Sequence, residues 1–227
     1  MAQKLVIAGA GGFGTEGIWI AEAMNQARPD NPPWEILGYV DDNPEKTGQQ
    51  FYGYPVLGTP EKTATMYRDP IAFIPQIGKN RIRKKVAERL MELDWKPATL
   101  IHPNVVIARE VTIGMGVYIG PGTVLAPASM IGDFVIINTH AGIGHHSVLG
   151  DFCQICPGAR ITGACKVGAF AFIGSNTVLQ PGISIGEGAT AGSGSQVIRS
   201  VQPQTTVLGV PARIVSRPST KESPAHP

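Results

Sequence analysis

INTHAGIGHHSVLGDFCQICPGARITGACKVG, residues 137–168, divides into six-residue units that each open on an aliphatic side chain: Ile137, Ile143, Leu149, Ile155, Ile161 and Val167. Outward from this stretch the register runs back through Ile131, Leu125, Ile119, Ile113 and Ile107 to Ile101. It runs forward through Ile173, Leu179, Ile185 and Ala191 to Val197, and only Ala191 is not Ile, Leu or Val. Two residues ahead of each register position stands a small or β-branched side chain such as Val135, Ala141, Ser147, Cys153, Ala159 or Cys165. Glycine often follows it, as at Gly144, Gly150, Gly168 and Gly174. Residues two apart on a strand share a face, so the large and the small side chain both point inward. The following glycine is expected to supply positive φ at a tight corner. Each hexapeptide therefore reads as a short strand plus a corner, and three make one triangular coil of a parallel β-helix.

The residues ahead of the repeat obey a different pattern. Lys4 to Ala8 is β-rich, Gly9-Ala10-Gly11-Gly12-Phe13-Gly14 is a glycine-rich turn, Thr15 to Gln26 is helical, and Glu35 to Val40 reads as a second strand ending on Asp41-Asp42. Such a βαβ unit, with Gly9, Gly11 and Gly14 in its first turn, offers backbone N–H groups to a phosphate. The acids after the second strand suit a ribose. Asp69 to Ile77 predicts another strand, and Gly78-Lys79-Asn80-Arg81 opens a helix to about Leu93, a second N-terminus able to face an anion. A dinucleotide needs two mononucleotide halves, and the stretch before the repeat is too short for both, so a nucleoside-diphosphate sugar is the better fit.

Composition narrows the field. The 227 residues are 43% hydrophobic and 16% charged with a formal charge of +2, which argues against disorder and against a nucleic-acid surface. The one basic run, Arg81 to Lys85, reads as a solvated helix face. The N-terminus lacks the features of a signal peptide and no stretch of apolar residues is long enough to span a bilayer, so a cytoplasmic protein without membrane contact is expected. Cys153, Cys156 and Cys165 lack further ligands at metal spacing, and Cys153 and Cys165 fall in the small inward slot of the repeat; neither a disulfide framework nor a metal site is expected.

The segments VIAGAGGFGTEG (6–17), LGYVDDNPEKTG (37–48), YPVLGTP (54–60), IGKNRIRKKV (77–86), LIHPNVVIARE (100–110), INTHAGIGHHSVLGDFCQICPGARITG (137–163) and VLGVPARIV (207–215) together resemble the hexapeptide-repeat sugar O- and N-acetyltransferases, the group that includes the sialic acid O-acetyltransferase and the bacillosamine-pathway N-acetyltransferase. The resemblance implies an α/β nucleotide-binding domain at 1–98, a left-handed β-helix at 99–200 and a C-terminal segment at 201–227, and the polar, proline-bearing composition from about Ser216 predicts a disordered tail. It implies a homotrimer that moves acetyl from acetyl-CoA onto a nucleotide-linked sugar, a UDP-amino sugar by preference, with O-acetylation of a hydroxyl as the alternative.

By the same resemblance His145 is the general base and Asn138 a substrate contact. Asp41 and Asp42 hold ribose or base, and Gly78, Asn80 and Arg81 border the diphosphate. Acetyl-CoA lies in an outer groove between subunits near Gln154, Gly163, Ser175, Ser193, Pro211 and Arg213. Three positions depart from the family pattern: His146 stands where relatives carry Asp or Glu, Gln154 where some carry a histidine near the thioester, and Phe13 where some carry a histidine in the glycine-rich turn. Two readings of other classes stay open. One is a zinc enzyme of the γ-carbonic anhydrase type, with His102, His140 and His145 holding the metal across a subunit boundary; the other is a trimeric scaffold that binds a nucleotide without turnover.

Overall fold

The computed structural model describes residues 2–67 and 69–216. Its N-terminal layer is a sheet built on β1 (Gln3–Ala8), with β2 (Trp34–Val40) on one side and β5 (Ala72–Pro75) on the other, all parallel. Outside these lie β4 (Tyr54–Gly58) next to β2, β3 (Gln50–Phe51) antiparallel to β4, and β6 (Lys96–Pro97) next to β5. Helices α1 (Gly12–Gln26), α2 (Pro60–Met66) and α3 (Asn80–Glu92) complete the layer. The alternation of β1 sorts its side chains into two cores. Leu5 and Ile7 pack with Ile18 and Ala21 of α1, whereas Val6 and Ala8 pack with Ala87 and Leu90 of α3.

From β7 (Leu100–Ile101) to β23 (Gln196–Val197) the chain is a run of two-residue strands wound into three parallel sheets. Ile119 pairs with Ile137 and Ile137 with Ile155, one coil apart, so the aliphatic register positions stack inside the prism with Cys153, Ala159 and Cys165 beside them. The first face carries Leu100, Tyr118, Ile136, Gln154 and Phe172 outward; the second carries Val106, Val124, Gly142 and Arg160; the third carries Thr112, Met130, Val148 and Lys166. Leu100, Tyr118 and Ile136 are buried in the same core as α1. The α/β layer thus sits on the first face, and the Tyr118 hydroxyl donates to Glu16 of α1 at 3.1 Å.

The corners differ from the sequence expectation. Positive φ falls three residues after the register position, at Phe134, His140, His146, Phe152 and Phe170 among others, and not at the glycine that directly follows it. That glycine answers a different need. A Cβ on Gly168 would lie 2.6 Å from the Glu187 backbone nitrogen of the next coil, so coil-to-coil approach and not conformational freedom selects it.

Two further expectations are corrected. The prism does not end at Ser200: Ile185 bridges Val201, and Ala191 pairs with Val207 of β24 (Thr206–Gly209), sixteen residues on where earlier coils take eighteen. The shortened corner breaks the hexad while Val201 and Val207 keep filling the core. β25 (Ala212–Ser216) then folds back antiparallel on β24 and includes Ser216; the rest of the tail lies outside the described residues. The basic run is not wholly a solvated face, because Arg83 is 1% exposed. Among the described residues no helix is long and apolar enough to cross a membrane.

Candidate active site

The glycine-rich turn has a division of labour. Gly9 has φ +109°, which opens the turn, and a Cβ on Gly14 would collide with the Gly9 carbonyl, so Gly14 lets α1 start against the strand end. A Cβ on Gly11 would meet nothing within 4 Å, leaving the backbone there open. Gly11 is also the N-cap of α1 and supplies no side-chain cap, so the first N–H groups of the helix remain available to an anion.

Asp41 closes this turn from behind. Its Oδ2 accepts from the Ala10 N–H at 2.9 Å and from Lys46 Nζ at 2.9 Å, and its Oδ1 accepts from the Asn43 N–H at 2.9 Å. Burial pushes its carboxyl up, but the bonds from Lys46, Asn43 and Ala10 outweigh that and hold it below the usual carboxylate range. The carboxylate expected on a ribose thus also latches the turn. Asp42 lies beyond it and receives Arg89 Nη1 at 3.0 and 2.8 Å, while Arg89 Nε and Nη2 donate to Glu61 at 2.7 Å each. Gly9, Val40, Asp41, Asp42, Ile77 and Arg89 line a cavity of about 240 Å³ at the carboxyl ends of the strands, the place where open α/β sheets bind ligands.

Gly78 and Arg81 border a second opening of about 390 Å³ between α3 and the prism, shared with Lys79, Phe170, Phe172 and Gln204. Arg81 stands over the Phe170 ring at 5.1 Å. Asn80, expected beside a diphosphate, lines the same opening, and its amide also ties the turn to the prism: Nδ2 donates to the Phe170 and Ala171 carbonyls at 2.9 and 3.3 Å, and Oδ1 accepts from Arg83.

The residues expected to perform chemistry occupy different edges of the prism. His145 and His146 form the exposed corner between the second and third faces, with Gly163 stacked on the His145 ring in the next coil. Their Nδ1 atoms are 3.1 Å apart. Asn138, Ser175 and Ser193 lie on the corner between the first and second faces; Asn138 is buried and its Nδ2 donates to the Ile155 carbonyl at 3.4 Å. Gln154 sits on the first face, 9% exposed, and its Oε1 has no partner among the described residues. Pro211 and Arg213 belong to the terminal hairpin, where Arg213 lines a cavity of about 440 Å³ with Arg199, Val201 and Ile214. One chain therefore does not bring His145 together with Asn138 or Gln154.

His102 is occupied otherwise: its Nδ1 accepts from the Asn104 N–H at 3.0 Å, and its ring lies 5.5 Å from that of Trp19. Among the described residues no three His, Cys, Asp or Glu side chains are grouped as a metal site would need. All three cysteines are buried; burial pushes the thiols of Cys153 and Cys156 up to about 12 and about 11.

A glycine-rich α/β layer on a triangular hexapeptide prism with a corner histidine defines an acyltransferase class, and comparison with known proteins agrees. Residues 4–90 match the PglD N-terminal domain and residues 97–127 the bacterial transferase hexapeptide repeats. Over 219 residues, 94% of this chain and 97% of the relative, the sequence is 32% identical to GDP-perosamine N-acetyltransferase of Escherichia coli O157:H7. Among solved structures it is similar to WeeI from Acinetobacter baumannii AYE (30% identity, 94% of this chain and all of that one, TM-score 0.85). It is also similar to a His-to-Asn mutant of perosamine N-acetyltransferase from Caulobacter crescentus, in complex with CoA and GDP-perosamine (28% identity, 96% and 99% coverage, TM-score 0.85). A third is the acetyltransferase domain of PglB from Neisseria gonorrhoeae FA1090 in complex with acetyl coenzyme A (29%, 95% and 100%, TM-score 0.82). The chain belongs to the hexapeptide-repeat sugar acetyltransferases that carry a PglD-type N-terminal domain.

Proposed function

We propose that the protein acetylates the amino group of a nucleoside-diphosphate-linked sugar by direct transfer from acetyl-CoA, with His145 as general base. The carrying observation is the placement of that histidine. The α/β layer covers the first face, while His145 occupies the corner where the other two faces meet. A sugar nucleotide held by one chain's α/β layer therefore meets the His145 of a neighbouring copy, in a groove that also contains Asn138 and Gln154 of the holding chain. Apolar side chains left outside on the second and third faces, Val106, Val124 and Met130, are 61%, 46% and 52% exposed and suit the packing of prisms into a homotrimer.

In this reading the amine attacks the thioester carbonyl as His145 Nε2 takes its proton. Collapse of the tetrahedral adduct expels the CoA thiolate, which recovers that proton from the imidazolium. Holding both reactants in one groove supplies much of the rate. Nε2 is free to accept only if the His145 proton is on Nδ1, so His145 Nδ1–H donates to His146 Nδ1. Neutral His146 thereby takes the orienting part that a carboxylate plays in relatives. The UDP-linked sugar expected from the sequence yields first place to a GDP-linked amino sugar, because named relatives over nearly the whole chain act on or bind GDP-perosamine.

The test is thiol release from acetyl-CoA with GDP-, UDP- and CMP-linked amino and hydroxy sugars, for wild type and His145→Ala. Turnover with an amino-sugar nucleotide, lost in the variant, is the expected result. Turnover only with hydroxy sugars means O-acetylation, and nucleotide binding without any turnover means a scaffold.

A further inference from the structure

Arg83 stands out against every other cation among the described residues. It is 1% exposed and all five of its N–H donors are engaged, yet no carboxylate is among their acceptors. Nε donates to the Phe134 carbonyl at 3.1 Å. Nη1 donates to the Ile77 carbonyl at 2.9 Å and to Asn80 Oδ1 at 3.1 Å. Nη2 donates to the Phe152 and Cys153 carbonyls at 2.6 and 3.2 Å. Burial pulls the guanidinium down to about 10, which leaves it charged at neutral pH. A desolvated cation without a counter-charge carries an electrostatic cost, offset here by five hydrogen-bond acceptors and not by an ion pair.

Its partners suggest what it does instead. Ile77 and Asn80 bracket the turn that borders the opening at Gly78 and Arg81, and Cys153 directly precedes Gln154. One rigid, planar fork thus ties the acceptor-side turn to the strand beside the donor groove. Asn80 repeats the tie one coil further along, through the Phe170 and Ala171 carbonyls. The stacked rings of Phe134, Phe152 and Phe170, 5.0 and 5.6 Å apart, stiffen the corner that receives both.

We propose that Arg83 is a positioning residue for the transfer, fixing the register between the nucleotide-holding turn at Ile77–Asn80 and the thioester side at Gln154. This rests on the acetyl-transfer reading above. A displacement of about 1 Å between reacting groups lowers turnover by about 10²-fold while leaving each substrate its own binding site. Arg83 therefore governs kcat and not affinity.

The experiment compares wild type, Arg83→Lys and Arg83→Met as purified full-length protein. Calorimetry gives the affinities for CoA and for the GDP-linked amino sugar, and thiol release gives kcat. The expected result is a kcat about 10²-fold down in Arg83→Met, with both affinities within about threefold, and partial recovery in Arg83→Lys. A folded Arg83→Met with wild-type kcat overturns the proposal, as does a loss of activity that merely follows the unfolded fraction. Should Arg83→Met fail to fold, Arg83→Lys, which keeps the charge but not the planar five-donor fork, takes its place. It is expected to lose kcat about tenfold with both affinities retained, and an unchanged kcat there overturns the proposal equally. A wild type without turnover on any sugar nucleotide sinks the acetyl-transfer reading itself, a result separable from wild-type turnover that Arg83 does not influence.

Discussion

The Nδ1 atoms of His145 and His146 face each other at 3.1 Å, with the two ring planes at 83°. Only one proton fits between them, so the bond exists with one ring as donor and the other as a neutral acceptor. His146→Phe keeps an aromatic ring but offers no lone pair, and kcat is expected to fall, by less than the about 10²–10⁴-fold attached to the base itself. His146→Asp restores an acceptor of the family pattern and is expected to retain activity. Nitrogen NMR of labelled histidine should show the Nδ1–H form of His145 in wild type, and its loss in His146→Phe. Equal activity in all three proteins would leave His146 without a role.

Gly163 has a steric duty towards the same ring. A Cβ built on it falls within contact distance of His145 Nε2, the atom that must meet the substrate amine. Gly163→Ala has no backbone penalty to meet, since Gly163 lies outside the positive-φ region. The expected effect is a kcat lowered by about 10²-fold through displacement of the imidazole, with the melting temperature little changed. A variant with normal kcat would show that the ring moves aside without consequence.

The prism was legible because its constraint is local and periodic: a strand of two residues and a corner repeat every six, and Ile137 or Ile155 declares the inward face by itself. Less local features were not. The sixteen-residue coil ending at Val201 and Val207 leaves no hexad trace, because the deletion falls in the corner while the core keeps its aliphatic side chains. The hairpin of β3 and β4 and the short α2, capped by Thr59 with Pro60 at its start, have no counterpart in the sequence reading. In sequence Arg83 resembles its neighbours Lys84 and Lys85, because three of its five acceptors lie in the prism 51 to 70 residues away. The position of Asp41 suits a ribose, and its second part as a latch depends on the Ala10 N–H and Lys46, which only folding brings to it.

Direct transfer has a chemical corollary in the cysteines. Thiolate and not thiol is the nucleophile, and burial pushes the thiols of Cys153, inside the prism with Cys165, and of Cys156, at the corner beside Gln154, up to about 12 and about 11. The native protein is expected to resist a thiol-specific reagent until it is unfolded, and to give initial-rate patterns in which both substrates must bind before CoA leaves. Parallel lines in double-reciprocal plots, together with an acetylated cysteine by mass spectrometry, would replace direct transfer with an acyl-enzyme.

Asp41 links stability of the nucleotide turn to pH. Its folded carboxyl lies below the ordinary value, so its contribution is fully present above that value, near 4 for an aspartate, and disappears as pH falls through the folded one. Asp41→Ala removes the acceptor of the Ala10 and Asn43 N–H groups and the partner of Lys46. At pH 7 the expected cost is about 1–3 kcal/mol. The variant should therefore melt lower than wild type at neutral pH, and the gap should narrow on acidification below about 4, where wild type loses the same ion pair by protonation. Because Ala10 belongs to the turn that presents open backbone at Gly11, sugar-nucleotide affinity should weaken along with stability. A stability gap independent of pH would mean that packing around Asp41, and not its charge, holds the turn.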